Sequence, residues 1–112
     1  MIKGILIGVM GLAVASAIIA YPEEYDQLCP DGHPAKRSPY VSYGGLPTRP
    51  GYERDHIVPL CLGGPDTRDN IQYQPWNEAK PKDAVERWTC EQYCRGEITL
   101  EQARNRFTRT RP

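Results

Sequence analysis

Charged and apolar positions are distributed unevenly along this chain. Behind Lys3, residues 4–21 carry no charge, reading "GILIGVMGLAVASAIIAY". From Tyr21 to Pro50 regular patterning dissolves. The stretch "CPDGHPAKRSPYVSYGGLPTRPG" is dense in Pro and Gly with little periodicity, which predicts an irregular wrap over 21–50. Tyr52 to Leu60 then alternates and closes on "HIVPL", where Ile57 and Val58 favour a strand and Pro59 ends its ladder. "CLGGPDTRDN" is too long for a tight hairpin and reads as a shaped loop, after which Ile71–Gln74 makes a short second strand.

Helical spacing follows. In "WNEAKPKDAVERWTCEQYCRGE", Ala84, Val85, Trp88 and Tyr93 recur at a helical period and Gly96 marks the stop. Proline is tolerated in the first turn, so Pro81 sets the start of the regular helix near Asn77 to Lys80. "TLEQARNRF" opens with Thr99 and has Gln102 three residues on, the capping-box pattern of a short terminal helix. The order is strand, long loop, strand, helix, helix, an α+β class. Tyr73, Trp76 and Trp88 are expected in the core, because a small domain needs its aromatics inside.

The uncharged N-terminal run changes the picture of where the chain works. It follows one lysine and ends in small residues, Ala15, Ala17 and Ala20, as an export signal does, and cleavage is expected after Ala20. A retained membrane anchor is the alternative, since bilayer crossing takes roughly 17–25 apolar residues. An exported chain would be periplasmic or secreted. Losing residues 1–20 removes Lys3 alone and leaves 13 basic against 14 acidic side chains. Such a balance excludes a strongly cationic nucleic-acid binder. Any grip on phosphate must be local, with Lys80, Lys82, Arg87 and the tail arginines Arg104, Arg106, Arg109 and Arg111 as candidates. Lys36, Arg37 and Ser38 could also touch a ligand, although a solvated loop accounts for them.

All four cysteines, Cys29, Cys61, Cys90 and Cys94, lie beyond the signal. An even count in an exported domain of about 92 residues points to two disulfides, with three pairings open. Cross-links matter at this size, because such a domain buries only about 60–65% of its unfolded surface. The competing arrangement is a zinc site of Cys29, His33, Cys90 and Cys94, although neither "CPDGH" nor "CEQYC" has the usual two-residue ligand spacing.

The densest chemistry lies in "GYERDHIVPLCLGGPDTRDNIQYQ". An Asp-His pair at a strand end in "DHIVPL", then "GG", an asparagine in "DNIQ" and a helix carrying "KPKD" resembles the HNH endonucleases, small phage and bacterial proteins among them. The resemblance runs from Gly51 to about Trp88, roughly a third of the chain, and implies a ββα-metal finger over 51–96. The segment 97–112 would then be a terminal helix and basic tail.

The resemblance implies phosphodiester hydrolysis, and the residue types suit it. His56 would be the general base, since imidazole can take a proton from water near neutral pH. One divalent cation would stabilise the charge growing on phosphorus and on the leaving oxygen, Mg²⁺ first, with Mn²⁺, Ni²⁺ or Zn²⁺ as alternatives. Asp55, a hard oxygen donor, would hold it. Asn70 would fix the base by bonding across the loop Gly63–Asp69. The chain departs from the family at the helix ligand, where the usual histidine position falls on Ala79. Glu78 is the expected substitute and Asn77 the fallback. Glu78 and Lys82 share a helix face, which would set a carboxylate on the metal and an ammonium near the phosphate. Lys80 and Arg87 are the other expected phosphate contacts. The substrate would be nucleic acid, DNA ahead of RNA, cut with weak sequence preference. His33 lacks such company and reads as a loop residue. A function of another class is a disulfide-stapled secreted binding module that keeps this fold without catalysis.

Overall fold

The computed structural model describes residues 23–109. The expected export signal and Arg111 lie outside the described residues. Helix α1 is Glu23–Leu28, strand β1 Tyr52–His56, strand β2 Ile71–Pro75, helix α2 Trp76–Cys94 and helix α3 Leu100–Arg104. The class is α+β. The two strands pair antiparallel, with Tyr52 opposite Pro75 and His56 opposite Ile71.

β1 stops at His56, short of the expected Leu60. The cause is Asn70, whose side-chain amide satisfies Val58 as a strand would. Its Oδ1 accepts from the Val58 N–H at 3.0 Å and its Nδ2 donates to the Val58 carbonyl at 3.0 Å. The chain is thereby freed from the ladder and turns through Pro59 into a single 3₁₀ turn, Leu60–Leu62. Gly64 must be glycine there, because a Cβ would lie 1.9 Å from the Val58 oxygen.

α2 begins at Trp76, before the expected start, and carries Pro81 in its second turn. Proline has no N–H to give the Asn77 carbonyl. Both residues are exposed, so water can take that bond. The helix buries Ala79, Thr89, Cys90, Tyr93 and Cys94. Trp76 and Trp88 are not core residues: they are 50% and 55% exposed. Lys82 and Glu86 lie on the inner row instead, paired with each other and, through Lys82, with Asp55. Tyr73 packs edge-on against Tyr52, half-buried on the sheet, with its hydroxyl on the Pro47 carbonyl.

The wrap is more ordered than its composition suggests. α1 is too short to show a period, yet it is fixed from outside: the Tyr25 hydroxyl donates to the Cys94 carbonyl at 2.5 Å, and the Tyr25 ring meets Tyr93 edge-on. Disulfides Cys29–Cys94 and Cys61–Cys90 leave no free cysteine among the described residues. The zinc alternative is thereby overturned, since Cys29, Cys90 and Cys94 are consumed in sulfur–sulfur bonds and His33 is exposed. Around the bridges pack Leu62, Tyr93, Ala103 and Phe107. Two disulfides suit an oxidising compartment. No described helix is long and apolar enough to cross a membrane.

α3 starts on the expected capping box, with Thr99 Oγ1 accepting from the Gln102 N–H and Gln102 Oε1 accepting from the Thr99 N–H. The described tail arginines, Arg104, Arg106 and Arg109, serve the fold. Arg104 donates to the Leu62 carbonyl and to Glu24, Arg106 to Thr89 and Gln92, and Arg109 to the Asp69 carbonyl.

Candidate functional site

A cleft of about 770 Å³ opens between the wrap, β1 and α2. Asp55 and His56 both line it, at the end of β1 where the ladder gives out. Neighbouring strand residues project to opposite faces, and their partners divide accordingly.

His56 turns toward the loops. Its Nε2 lies 2.9 Å from Asp66 Oδ1, and the Tyr43 ring packs on the imidazole at 5.2 Å between centroids. Asp66 is itself tightly held: its Oδ2 accepts from the Ser42 N–H at 2.5 Å and from the Ser42 hydroxyl, and its Oδ1 accepts from the Tyr43 N–H at 2.8 Å. These bonds keep its carboxyl well below the usual carboxylate range, the His56 bond first and the Ser42 N–H next. An ionised Asp66 accepts from Nε2–H, which leaves Nδ1 as the basic nitrogen. Nδ1 has no hydrogen-bond partner among the described residues.

The turn that carries Ser42 and Tyr43 is shaped by backbone. Tyr43 has φ +56°, a left-handed conformation uncommon for an aromatic residue. Gly44 follows at φ +63°, where a Cβ would come within 2.4 Å of the Arg68 nitrogen. That close approach locks the wrap onto the loop after β1 and so brings Ser42 to Asp66. Tyr43 is also gripped by cations, with Arg54 over its ring at 4.1 Å and Arg37 bonded to its hydroxyl. Asn70 adds a third bond below, from Nδ2 to the Pro65 carbonyl at 2.9 Å, and so fixes the residue next to Asp66.

Asp55 turns toward α2. It is 3% exposed, its Oδ1 lies 2.9 Å from Lys82 Nζ and its Oδ2 accepts from Gln72 Nε2 at 3.1 Å. Lys82 also donates to the His56 carbonyl at 3.0 Å and to Glu86, one helical turn on. Burial pushes the Glu86 carboxyl up to about 7, against the pull of Lys82, with Asp55 and Asp83 adding to the rise. Glu53, half-buried in the same cleft, is raised by burial first and then by Asp83 and Asp55.

Of the expected site residues, Asp55, His56 and Arg87 reach the cleft, and Asn70 supports its loop. Asn77 and Lys80 are exposed elsewhere on α2, and Glu78 is half-buried outside the cleft lining. Lys82 is a half-buried ion-pair partner, not a free phosphate contact. Among the described residues no three His, Cys, Asp or Glu side chains are grouped to hold a metal. The expected ligands of a divalent ion do not fit one as they stand, because an ammonium and an amide already occupy both oxygens of Asp55. Asp66, Ser42 and Tyr43 are the site residues that sequence reasoning missed. Their only signals were a Pro-Asp after the paired glycines and a Tyr-Gly-Gly turn, and neither says that the two meet at His56.

Free positive charge remains at the cleft. Lys36 and Arg87 line it and have no hydrogen-bond or ion-pair partner among the described residues, while Arg37 lies beside them. The arrangement offers a carboxylate-anchored imidazole beside uncommitted cations, suited to taking a proton from water next to an anion. No family model, curated protein or solved structure matches the chain.

Proposed function

We propose that the chain is an exported HNH-type nuclease that hydrolyses nucleic-acid phosphodiester bonds with His56 as general base. The observation that carries this reading is the Asp66–His56 pair opening on a cleft with Lys36 and Arg87 uncommitted. The "DHIVPL…GG…N" pattern adds the substrate class by resemblance. Water would give a proton to His56 Nδ1 as its oxygen bonds to phosphorus. The bond to the leaving oxygen breaks, that oxygen takes a proton from solvent, and His56 then returns its own proton to solvent. Asp66 keeps the imidazole in the required tautomer and stabilises the imidazolium. Lys36, Arg37 and Arg87 would hold the phosphate and contribute little sequence preference. Asn70 is a positioning residue. Two disulfides support an oxidising destination, in keeping with the export signal read in the sequence.

A second reading has an observation of its own. Asp55 is fully engaged by Lys82 and Gln72, which favours a binding module that keeps the scaffold without turnover. Incubation with supercoiled DNA, and with RNA, separates the two. Cleavage that falls ~10²–10⁴-fold in His56→Ala, with an unchanged circular dichroism spectrum, supports the nuclease. Retained cleavage removes His56 from the mechanism. Retention of nucleic acid without cleavage, in any buffer, establishes the binding module.

A further inference from the structure

The surroundings of Lys82 are unusual for a lysine. Its ammonium has three donors, and three oxygens receive them: Asp55 Oδ1 at 2.9 Å, the His56 carbonyl at 3.0 Å and Glu86 Oε2. Phe107 closes a further side, its ring centroid 5.1 Å from Nζ. Two carboxylates and a backbone carbonyl converging on one point is the donor set that a hard divalent cation takes. The cradle is built from separate elements, with Asp55 and the His56 carbonyl on β1 and Glu86 on α2, and Gln72 of β2 orients Asp55 from behind. The Lys82 and Asp55 side chains are only 13% and 2% exposed, so this is no solvated surface pair.

We propose that Lys82 is a tethered cation: its ammonium fills the oxygen cradle that a divalent metal would otherwise occupy, and the His56 site works without one. The inference rests on the nuclease reading for its reaction, but the cradle itself can be tested without any reaction. Lys82 is a positioning residue. By bonding the His56 carbonyl and Asp55 it fixes the end of β1 on which the imidazole stands and neutralises the floor of an anion-binding cleft. Lys36, Arg37 and Arg87 are left to face the phosphate.

The test is a Mn²⁺ titration of the full chain followed by electron paramagnetic resonance, run beside a plasmid-cleavage assay. Wild-type protein is expected to bind no Mn²⁺ up to about 1 mM, the weak end of carboxylate sites. Lys82→Met vacates the cradle and is expected to bind one Mn²⁺ per chain, a gain that Asp55→Asn removes from the double variant. Cleavage by the wild type should be unchanged by EDTA. Lys82→Met should lose most of it in EDTA and recover it with Mn²⁺, a rescue that a merely structural lysine would not show. Stoichiometric Mn²⁺ binding by the wild type, abolished by Asp55→Asn, overturns the inference whether or not nucleic acid is cut. So does a folded Lys82→Met that binds no Mn²⁺. Wild-type cleavage that needs added metal overturns it and leaves the nuclease reading standing. Absence of cleavage under every condition refutes the nuclease reading, while the titration still decides what fills the cradle. Should Lys82→Met fail to fold, Lys82→Gln and the wild-type titration decide the same question.

Discussion

Glu86 offers a direct measure of what burial costs at this site. Its carboxyl is held up to about 7 by desolvation, although Lys82 bonds it and pulls the other way. In the unfolded chain the same group ionises near 4.5. Between those values the folded protein keeps a proton that the unfolded chain has released, so stability falls as pH rises from about 4.5 to about 7 and then levels. A difference of this size corresponds to about 3 kcal/mol, at ~1.4 kcal/mol per pKa unit. Glu86→Gln imitates the neutral acid at every pH. Urea denaturation with the disulfides intact, at pH 4 and pH 8, should show the variant gaining about 2–3 kcal/mol on the wild type between the two conditions. Taking the difference between pH values cancels whatever the new amide does to packing and to Lys82. An equal effect at both pH values, or a variant that loses ground at pH 8, would refute the reasoning: the ion pair with Lys82 would then outweigh the burial of Glu86.

Asn70→Ala strands the Val58 N–H, the Val58 carbonyl and the Pro65 carbonyl, and should cost about 2–4 kcal/mol by urea denaturation; a cost under about 0.5 kcal/mol would mean that water replaces the amide. Removing Cys61–Cys90 with a double alanine variant should cost about 3.5 kcal/mol, since the bridge closes a 29-residue separation. Thiol titration of the denatured, unreduced wild type should find no free thiol in the described chain. Asp66→Asn should slow cleavage roughly 10²–10⁴-fold with the fold unchanged, because the amide no longer selects the Nδ1-basic tautomer; wild-type rates in this variant would free Asp66 from the mechanism.

Elements whose cause is local were legible in the sequence. Thr99 and Gln102 bond each other's backbone within one turn, so the start of α3 could be read from two letters. The strand–loop–strand–helix order followed from short runs bounded by Pro and Gly. Cysteine parity pointed to two bridges but not to their pairing, which depends on α1 docking beside the end of α2 and on the turn after β1 packing one helical turn earlier, at Cys90. His56 was conspicuous through the residues around it. Its carboxylate partner was not, because Ser42, Tyr43 and Asp66 meet only when a wrap of little periodicity folds back at Gly44 onto Arg68.

The faces of α2 went wrong for a deeper reason. Apolar residues at helical spacing normally face inward, which would bury Val85 and Trp88 and expose Lys82 and Glu86. The inner row in fact runs Ala79, Lys82, Glu86, Cys90 and Tyr93, and its middle is charged. A buried charge is tolerated only when paired. Here the pairing comes from across the domain, where Asp55 on β1 offers a carboxylate to the middle of α2. Asp55, Glu86 and the His56 carbonyl together let Lys82 stay inside, while the bridges at Cys90 and Cys94 keep the same face inward and leave Val85 and Trp88 outside. The inward face of α2 is therefore held jointly by the bridges at Cys90 and Cys94 and by an aspartate 27 residues from Lys82, against the pattern of its exposed Val85 and Trp88.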